Sequence, residues 1–197
     1  MEPQLYFIRH GQTDWSLNGQ HTGRTDIALT LQGEEQARAI GPSLHDVPFT
    51  RVLTSPRQRA RRTCELAGVA PAAEVEPDLA EWDYGDYEGR TTADISQDRP
   101  GWNIFRDGCP GGESTVEVAE RADRLIARLA ALTGNVALFS HGHFGAVLAM
   151  RWIGLPVIQG QHFALGTATL GILGHQRNHP DLRAIVLWNA APPAKPG

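Results

Sequence analysis

Asn135-Val136-Ala137-Leu138-Phe139, which runs straight into Ser140-His141-Gly142-His143, decides the fold class. Four apolar residues in a row, with no polar alternation, describe a strand covered on both faces, as in a parallel sheet flanked by helices. The sequence on either side supplies those helices. Upstream, Ser114 to Leu132 reads as a helix with a Ser114–Glu117 capping box. Val118, Ala122, Leu125, Leu129 and Leu132 recur on one face, and Gly134 ends the segment. Downstream, Phe144 to Ile153 reads as a second helix.

The same strand–loop–helix unit recurs towards the N-terminus. Leu5 to Ile8 is a short apolar strand ending at Arg9-His10-Gly11. A long polar loop to Asp26 follows, then a helix over Leu31 to His45, with Thr30 as N-cap and Gly41-Pro42 cutting it short. Arg51 to Thr54 is a further strand, and Ser55-Pro56 reads as the N-cap and first position of a helix to about Leu66. Ala73 to Val75 is a short strand, and Pro77 to Gly112 is an aperiodic surface excursion with a short helix near Thr91 to Asp98. Ala168 to Leu173 and Arg183 to Trp188 close the sheet, and Ala190 to Gly197 is a Pro-rich, frayed tail. The expectation is an α/β fold: one domain over residues 1–197, with three α/β/α layers around a doubly wound, mostly parallel sheet.

Composition narrows the function. The 197 residues are 41% hydrophobic and 20% charged, which suits one sizeable core. A net charge of −4 argues against nucleic acid as partner. No apolar run approaches a membrane span, and Met1-Glu2-Pro3-Gln4 lacks the basic region of a secretory signal. Cys64 and Cys109 read as reduced thiols of a cytoplasmic protein. Seventeen of the eighteen basic residues are Arg. Codon bias accounts for most of that, but Arg also matches phosphate geometry, so position must decide.

In doubly wound sheets the site lies beyond the carboxyl ends of the strands. Three segments meet there: Arg9-His10-Gly11, Ser55 to Arg62, and His141-Gly142. At helical spacing Arg59 and Arg62 are neighbours, whereas Arg57 and Arg61 point elsewhere. Histidine among arginines at helix N-termini describes an anion site whose imidazole stays neutral, as a nucleophile requires. The chemistry this suggests is phosphoryl transfer through a phosphohistidine, without metal or cofactor. Four carboxylates between Glu81 and Glu88, set among aromatic residues, offer a proton donor for the leaving group.

These blocks resemble the histidine phosphatase superfamily, also called phosphoglycerate mutase-like. Its Arg-His-Gly signature stands as Arg9-His10-Gly11, and its Ser-x-x-x-Arg-Ala-x-x-Thr block as Ser55 to Thr63. Its Glu-x-x-x-Gly-x-x-Glu-Gly block stands as Glu81 to Gly89, and its Ser-His-Gly as Ser140-His141-Gly142. The resemblance runs from about Leu5 to Trp188 and implies the phosphoglycerate mutase-like fold. It implies that His10 is the phosphorylated nucleophile, that Arg9, Arg59 and His141 form the phosphate pocket, and that Glu81 is the acid. Ser16, Thr22, Gly23, Tyr84 and Gly142 match substrate-binding positions, with Ser16 standing where many members have Asn. Trp15-Ser16, Trp102 to Cys109 and Gly112 to Ser114 resemble a subgroup that holds sedoheptulose-1,7-bisphosphatase and mycobacterial acid phosphatases.

The expected activity is hydrolysis of a small phosphorylated substrate, a sugar phosphate, by a monomer or homodimer. Cofactor-dependent mutases of the family carry adjacent arginines in the excursion, where this chain has Arg90, Arg99 and Arg106 apart. A non-catalytic phosphate-binding module would not need His10, Glu81 and His141 together. A metal on His141 and His143 lacks an evident acidic partner. Trp82 and Trp102 line the pocket or anchor the excursion, and Cys109 is packed or sits at the pocket mouth.

Overall fold

Alternation along the central strands builds two cores at once. In the computed structural model, which describes residues 2–70 and 73–192, β1 (Gln4–Arg9) and β4 (Asn135–Ser140) pair in parallel. Leu5, Phe7, Val136 and Leu138 face one core, whereas Ile8, Ala137 and Phe139 face the other. The first core is covered by α6 (Thr115–Ala130) and α7 (Gly142–Trp152), through residues such as Val118, Leu125, Phe144 and Val147. The second is covered by α2 (Leu31–Ile40) and α3 (Gln58–Leu66), through Ile40, Cys64 and Ala67. The result is the expected three-layer α/β/α arrangement.

The sheet order is β3-β2-β4-β1-β5-β6, with β2 spanning Phe49–Thr54 and β3 Ala73–Val75. The pairs β3–β2, β2–β4 and β4–β1 are parallel, while β5 (Leu170–Gln176) and β6 (His179–Ala190) run antiparallel at one side. The mixed sheet is therefore mostly parallel. Since β2, β4 and β1 are neighbours with a common direction, their carboxyl ends bring residues 55, 141 and 10 to one edge.

Local signals hold at most ends. Thr30 and Ser114 cap α2 and α6, the latter through the reciprocal Ser114–Glu117 box. Gly41–Ser43 is a 3-10 turn that stops α2 at Ile40. The loop after β1 contains a short helix, α1 (Asp14–Asn18), and Thr13 caps it. The helix expected from Phe144 begins earlier, since α7 starts at Gly142.

Two readings need correction. Ser55 is not an N-cap: α3 begins at Gln58 with Arg57 in extended conformation before it and no side-chain cap. The reason is a tertiary bond, because the Ser55 hydroxyl is held by His141, 86 residues away. The Pro77 to Gly112 segment is not a surface elaboration. It carries α4 (Thr92–Asp98) and α5 (Ile104–Asp107), and it buries Trp82, Tyr84, Ile95, Trp102 and Ile104 in the first core. Its lack of periodicity reflects short elements, each contributing one or two anchors rather than an amphipathic face. Residues 193–197 of the expected tail lie outside the described residues, and β6 continues to Ala190.

Candidate active site

His10 follows β1 and is buried, with Nδ1 2.7 Å from the carbonyl oxygen of Gly11. A carbonyl only accepts, so Nδ1 carries the ring proton and Nε2 keeps its lone pair. Gly11 is itself clamped: its N–H donates to Thr63 Oγ1 at 3.0 Å, and a Cβ there would lie 2.3 Å from the Gly33 carbonyl oxygen. Only glycine lets the first turn of α2 close on this loop. Burial, then the Arg59 and Arg9 guanidinium groups, hold the His10 imidazole well below the usual histidine range.

His141, fully buried after β4, packs edge-on to His10 with ring centroids 5.2 Å apart. Its Nε2 lies 2.7 Å from Ser55 Oγ, which in turn accepts the Arg57 N–H at 3.3 Å. Among the described residues the Ser55 hydroxyl has no other acceptor, so its proton serves Nε2 and the imidazole proton sits on Nδ1. Burial, then Arg59, His10, Arg9 and Arg57, lower the His141 pKa well below its ordinary value.

The cations reach this edge from two strands. Arg59 is fully buried and donates to the carbonyls of Thr25 at 3.0 Å, Thr22 at 2.8 Å and Gly23 at 3.3 Å. Arg9 donates to the Leu165 carbonyl. Arg57 belongs here too, contrary to the helical-spacing expectation, because it precedes the helix. Arg62 faces away and pairs with Glu34 at 2.9 Å. Among the described residues, the buried side-chain polar atoms lacking a partner are Arg9 Nε, Arg57 Nε, Arg59 Nε and His141 Nδ1. All four are N–H donors, on the last residue of β1 and on the segments after β2 and β4.

Glu81, close to the Tyr84 phenol, is held by backbone donors. Its Oε1 accepts from the N–H groups of Trp82 at 2.9 Å and Phe144 at 2.8 Å, and its Oε2 from that of His143 at 3.2 Å. The carboxylate therefore seats on the first turn of α7, while the Trp82 ring turns into the core and donates Nε1–H to the Glu113 carbonyl.

Residues 5–189 match the family described as histidine phosphatase superfamily (branch 1). The chain belongs to this superfamily. An acid phosphatase of Mycobacterium tuberculosis is 40% identical over 198 residues, covering 98% of this chain and 97% of that protein. A sedoheptulose 1,7-bisphosphatase of Saccharomyces cerevisiae is 38% identical over 191 residues, covering 80% of this chain and 70% of that one. The solved structure of the Rv3214 product of Mycobacterium tuberculosis has a TM-score of 0.90 at 39% identity, covering 96% of this chain and 98% of that chain. The chain is accordingly a hydrolase of the histidine phosphatase family.

In this histidine phosphatase a cavity of about 410 Å³ opens over His10, Arg9 and Glu81. Ser16 and Thr22 line it, but the Ser16 hydroxyl is engaged in the α1 cap, donating to the Thr13 carbonyl at 2.9 Å. Thr22 and Gly23 turn their carbonyls to Arg59, and the Gly23 N–H donates to Glu88. At Gly142 a Cβ would lie 3.2 Å from Arg9 Cζ, so this glycine makes room for the guanidinium. Tyr84 is buried, and burial raises its phenol well above the ordinary value. The phenol keeps its proton and shares a 2.6 Å hydrogen bond with His143 Nδ1.

Trp102 is an anchor whose Nε1–H donates to the Gly108 carbonyl at 3.0 Å. Cys64 and Cys109 are free and buried, and burial pushes each thiol up to about 12, so neither is a reactive thiolate. Among the described residues, no group of three or more His, Cys, Asp or Glu is placed to hold a metal ion, and no helix is long and apolar enough to cross a membrane.

Sequence reasoning missed Ser55 as the partner of His141, and it missed Arg121. From α6, Arg121 forks onto Glu113 with Nε–Oε1 and NH2–Oε2 both 2.7 Å, and donates to the carbonyls of Asp78 at 2.9 Å and Ala80 at 2.8 Å. It thereby fixes the strand of chain that delivers Glu81. Its signal was an arginine next to Ala122 on the apolar stripe of α6. Arg121→Leu is expected to lower unfolding free energy by about 3 kcal/mol, since it strands the Glu113 carboxylate. Denaturant unfolding checks this, and Arg121→Lys, which keeps the charge but not the fork, is expected to restore only part of the loss.

Proposed function

We propose that the protein is a phosphomonoester phosphatase acting on sugar phosphates through phosphorylation of His10 Nε2. The observation that carries this reading is a histidine whose proton is fixed on the far nitrogen, set in a cavity wall with Arg9 and Glu81, with the Arg59 guanidinium and the His141 ring beside it. Guanidinium groups suit the oxygens of a phosphoryl group, and a neutral imidazole suits attack on its phosphorus. In the first step the Nε2 lone pair attacks phosphorus and the ester P–O bond breaks. The leaving oxygen takes a proton from the Glu81 carboxyl. In the second step water gives a proton to the Glu81 carboxylate and attacks phosphorus, the P–N bond breaks, and inorganic phosphate leaves. Arg9, Arg57, Arg59 and His141 carry the equatorial charge, the task a metal ion performs in other phosphoryl-transfer sites.

Hydrolysis rather than mutase chemistry is proposed because the cavity is open to water and its charged lining residues, histidines aside, are Arg9 and Glu81. The expected result is release of inorganic phosphate from p-nitrophenyl phosphate, with vanadate competing. Interconversion of phosphoglycerates, supported by bisphosphoglycerate and faster than phosphate release, would overturn the reading.

A further inference from the structure

Beyond His10 and Glu81 the cavity continues along a wall that the phosphoryl chemistry does not use. Gln20, His21, Thr92, Phe105, His143 and Gln161 line it. Tyr84 stacks on His21 at 4.7 Å between ring centroids and holds His143 through the 2.6 Å hydrogen bond. His21 Nε2 lies 3.3 Å from Thr92 Oγ1, and Gln161 Oε1 accepts from Asn103 Nδ2 at 2.9 Å, which ties the α5 region to the segment across the cavity. Burial, with His143 next, pushes His21 down to about 4, and burial, with Arg9 next, pushes His143 down to about 4. Both imidazoles are neutral near neutral pH, and each keeps one ring nitrogen beyond its bond to Tyr84 or Thr92.

Arg9 aside, which serves the phosphoryl site, the arginines on the segments next to this wall are paired with carboxylates. Arg24, two residues from Thr22, pairs with Asp83 at 2.6 Å. Arg90, whose carbonyl accepts the His21 N–H, pairs with Asp98 at 2.5 Å. Arg106, next to Phe105, pairs with Asp107 at 2.8 Å, and Arg99 lies 3.7 Å from the same carboxylate. A second anion on the substrate would therefore meet neutral amides, imidazoles and an aromatic face, or would have to displace a carboxylate. A polyol would meet paired donors and acceptors for its hydroxyls and an apolar face for its C–H edges.

We infer that this wall selects phosphomonoesters whose alcohol is an uncharged polyol and discriminates against substrates with a second phosphate or a carboxylate. The inference rests on the phosphatase reading and narrows its substrate class. The test compares matched pairs slightly above neutral pH: glycerol 3-phosphate against 3-phosphoglycerate, and fructose 6-phosphate against fructose 1,6-bisphosphate. In each pair the uncharged-alcohol member is expected to have a kcat/KM about tenfold higher or more. p-Nitrophenyl phosphate serves as the common reference. Hydrolysis of the reference with charged members equal or preferred overturns the selectivity alone. Failure to hydrolyse the reference and both pairs overturns the phosphatase reading and this inference with it.

Discussion

His10→Ala is expected to lower kcat/KM for phosphomonoesters by about 10⁴ or more, since the nucleophile is lost while the anion pocket remains. Wild-type enzyme quenched during turnover is expected to carry acid-labile, base-stable phosphate on His10, and the variant none. Phosphate found instead on a serine or a carboxylate would refute the assignment. The pH profile gives an independent reading. Protonation of Nε2 blocks attack, so activity falls as pH drops through the His10 pKa. Burial, Arg59 and Arg9 place that pKa well below the usual histidine value, with the Gly11 carbonyl opposing them only in part. His141, at 5.2 Å between ring centroids, is held neutral by burial and by the same cations, and adds no carboxylate-like support for an imidazolium. The acid limb of kcat/KM, after allowance for titration of the substrate phosphate near about pH 6, is expected well on the acid side of an ordinary histidine. A limb centred at the ordinary histidine value would mean that the pocket does not keep the free imidazole neutral.

Legibility followed range along the chain. The β4 strand was readable because both its faces are buried, which leaves an unbroken apolar run. The Ser114–Glu117 capping box was readable because donor and acceptor lie three residues apart. Convergence of His10, Arg59 and His141 was readable from topology, since parallel neighbours share an edge. What failed was decided by tertiary contacts. Ser55-Pro56 looks the same whether the serine caps a helix or holds His141 from the opposite strand. Arg57 was misplaced because helical spacing was applied to a residue that lies outside the helix. The aromatic neighbours of Glu81 in sequence say nothing of the donors that hold its carboxylate, two of which come from α7, more than sixty residues on. The burial of Ile104 was likewise invisible, and Trp102 was readable only as wall or anchor, since each is a lone contact in a short element.

Glu81→Gln is expected to slow substrates in proportion to how badly the leaving group needs a proton. The wild-type carboxyl has its two oxygens in unequal positions: Oε1 accepts two backbone N–H groups, whereas Oε2 accepts one at 3.2 Å. Oε2 is thus the oxygen free to carry and release a proton towards the cavity. Glutamine keeps the size and one acceptor, but its amide cannot give a proton to an alkoxide. For a sugar phosphate, whose leaving group is strongly basic, kcat/KM is expected to fall by about 10²–10⁴. For p-nitrophenyl phosphate, whose leaving phenolate is stable, kcat/KM reports formation of the phosphoenzyme and is expected to fall less than about tenfold. Water attack still lacks its base in the variant, so kcat for p-nitrophenyl phosphate falls further than kcat/KM, and rapid mixing is expected to show a burst of p-nitrophenolate. The two substrates together separate the acid role from the base role. An equal loss of kcat/KM for both, without a burst, would mean that Glu81 holds the α7 terminus in place and transfers no proton.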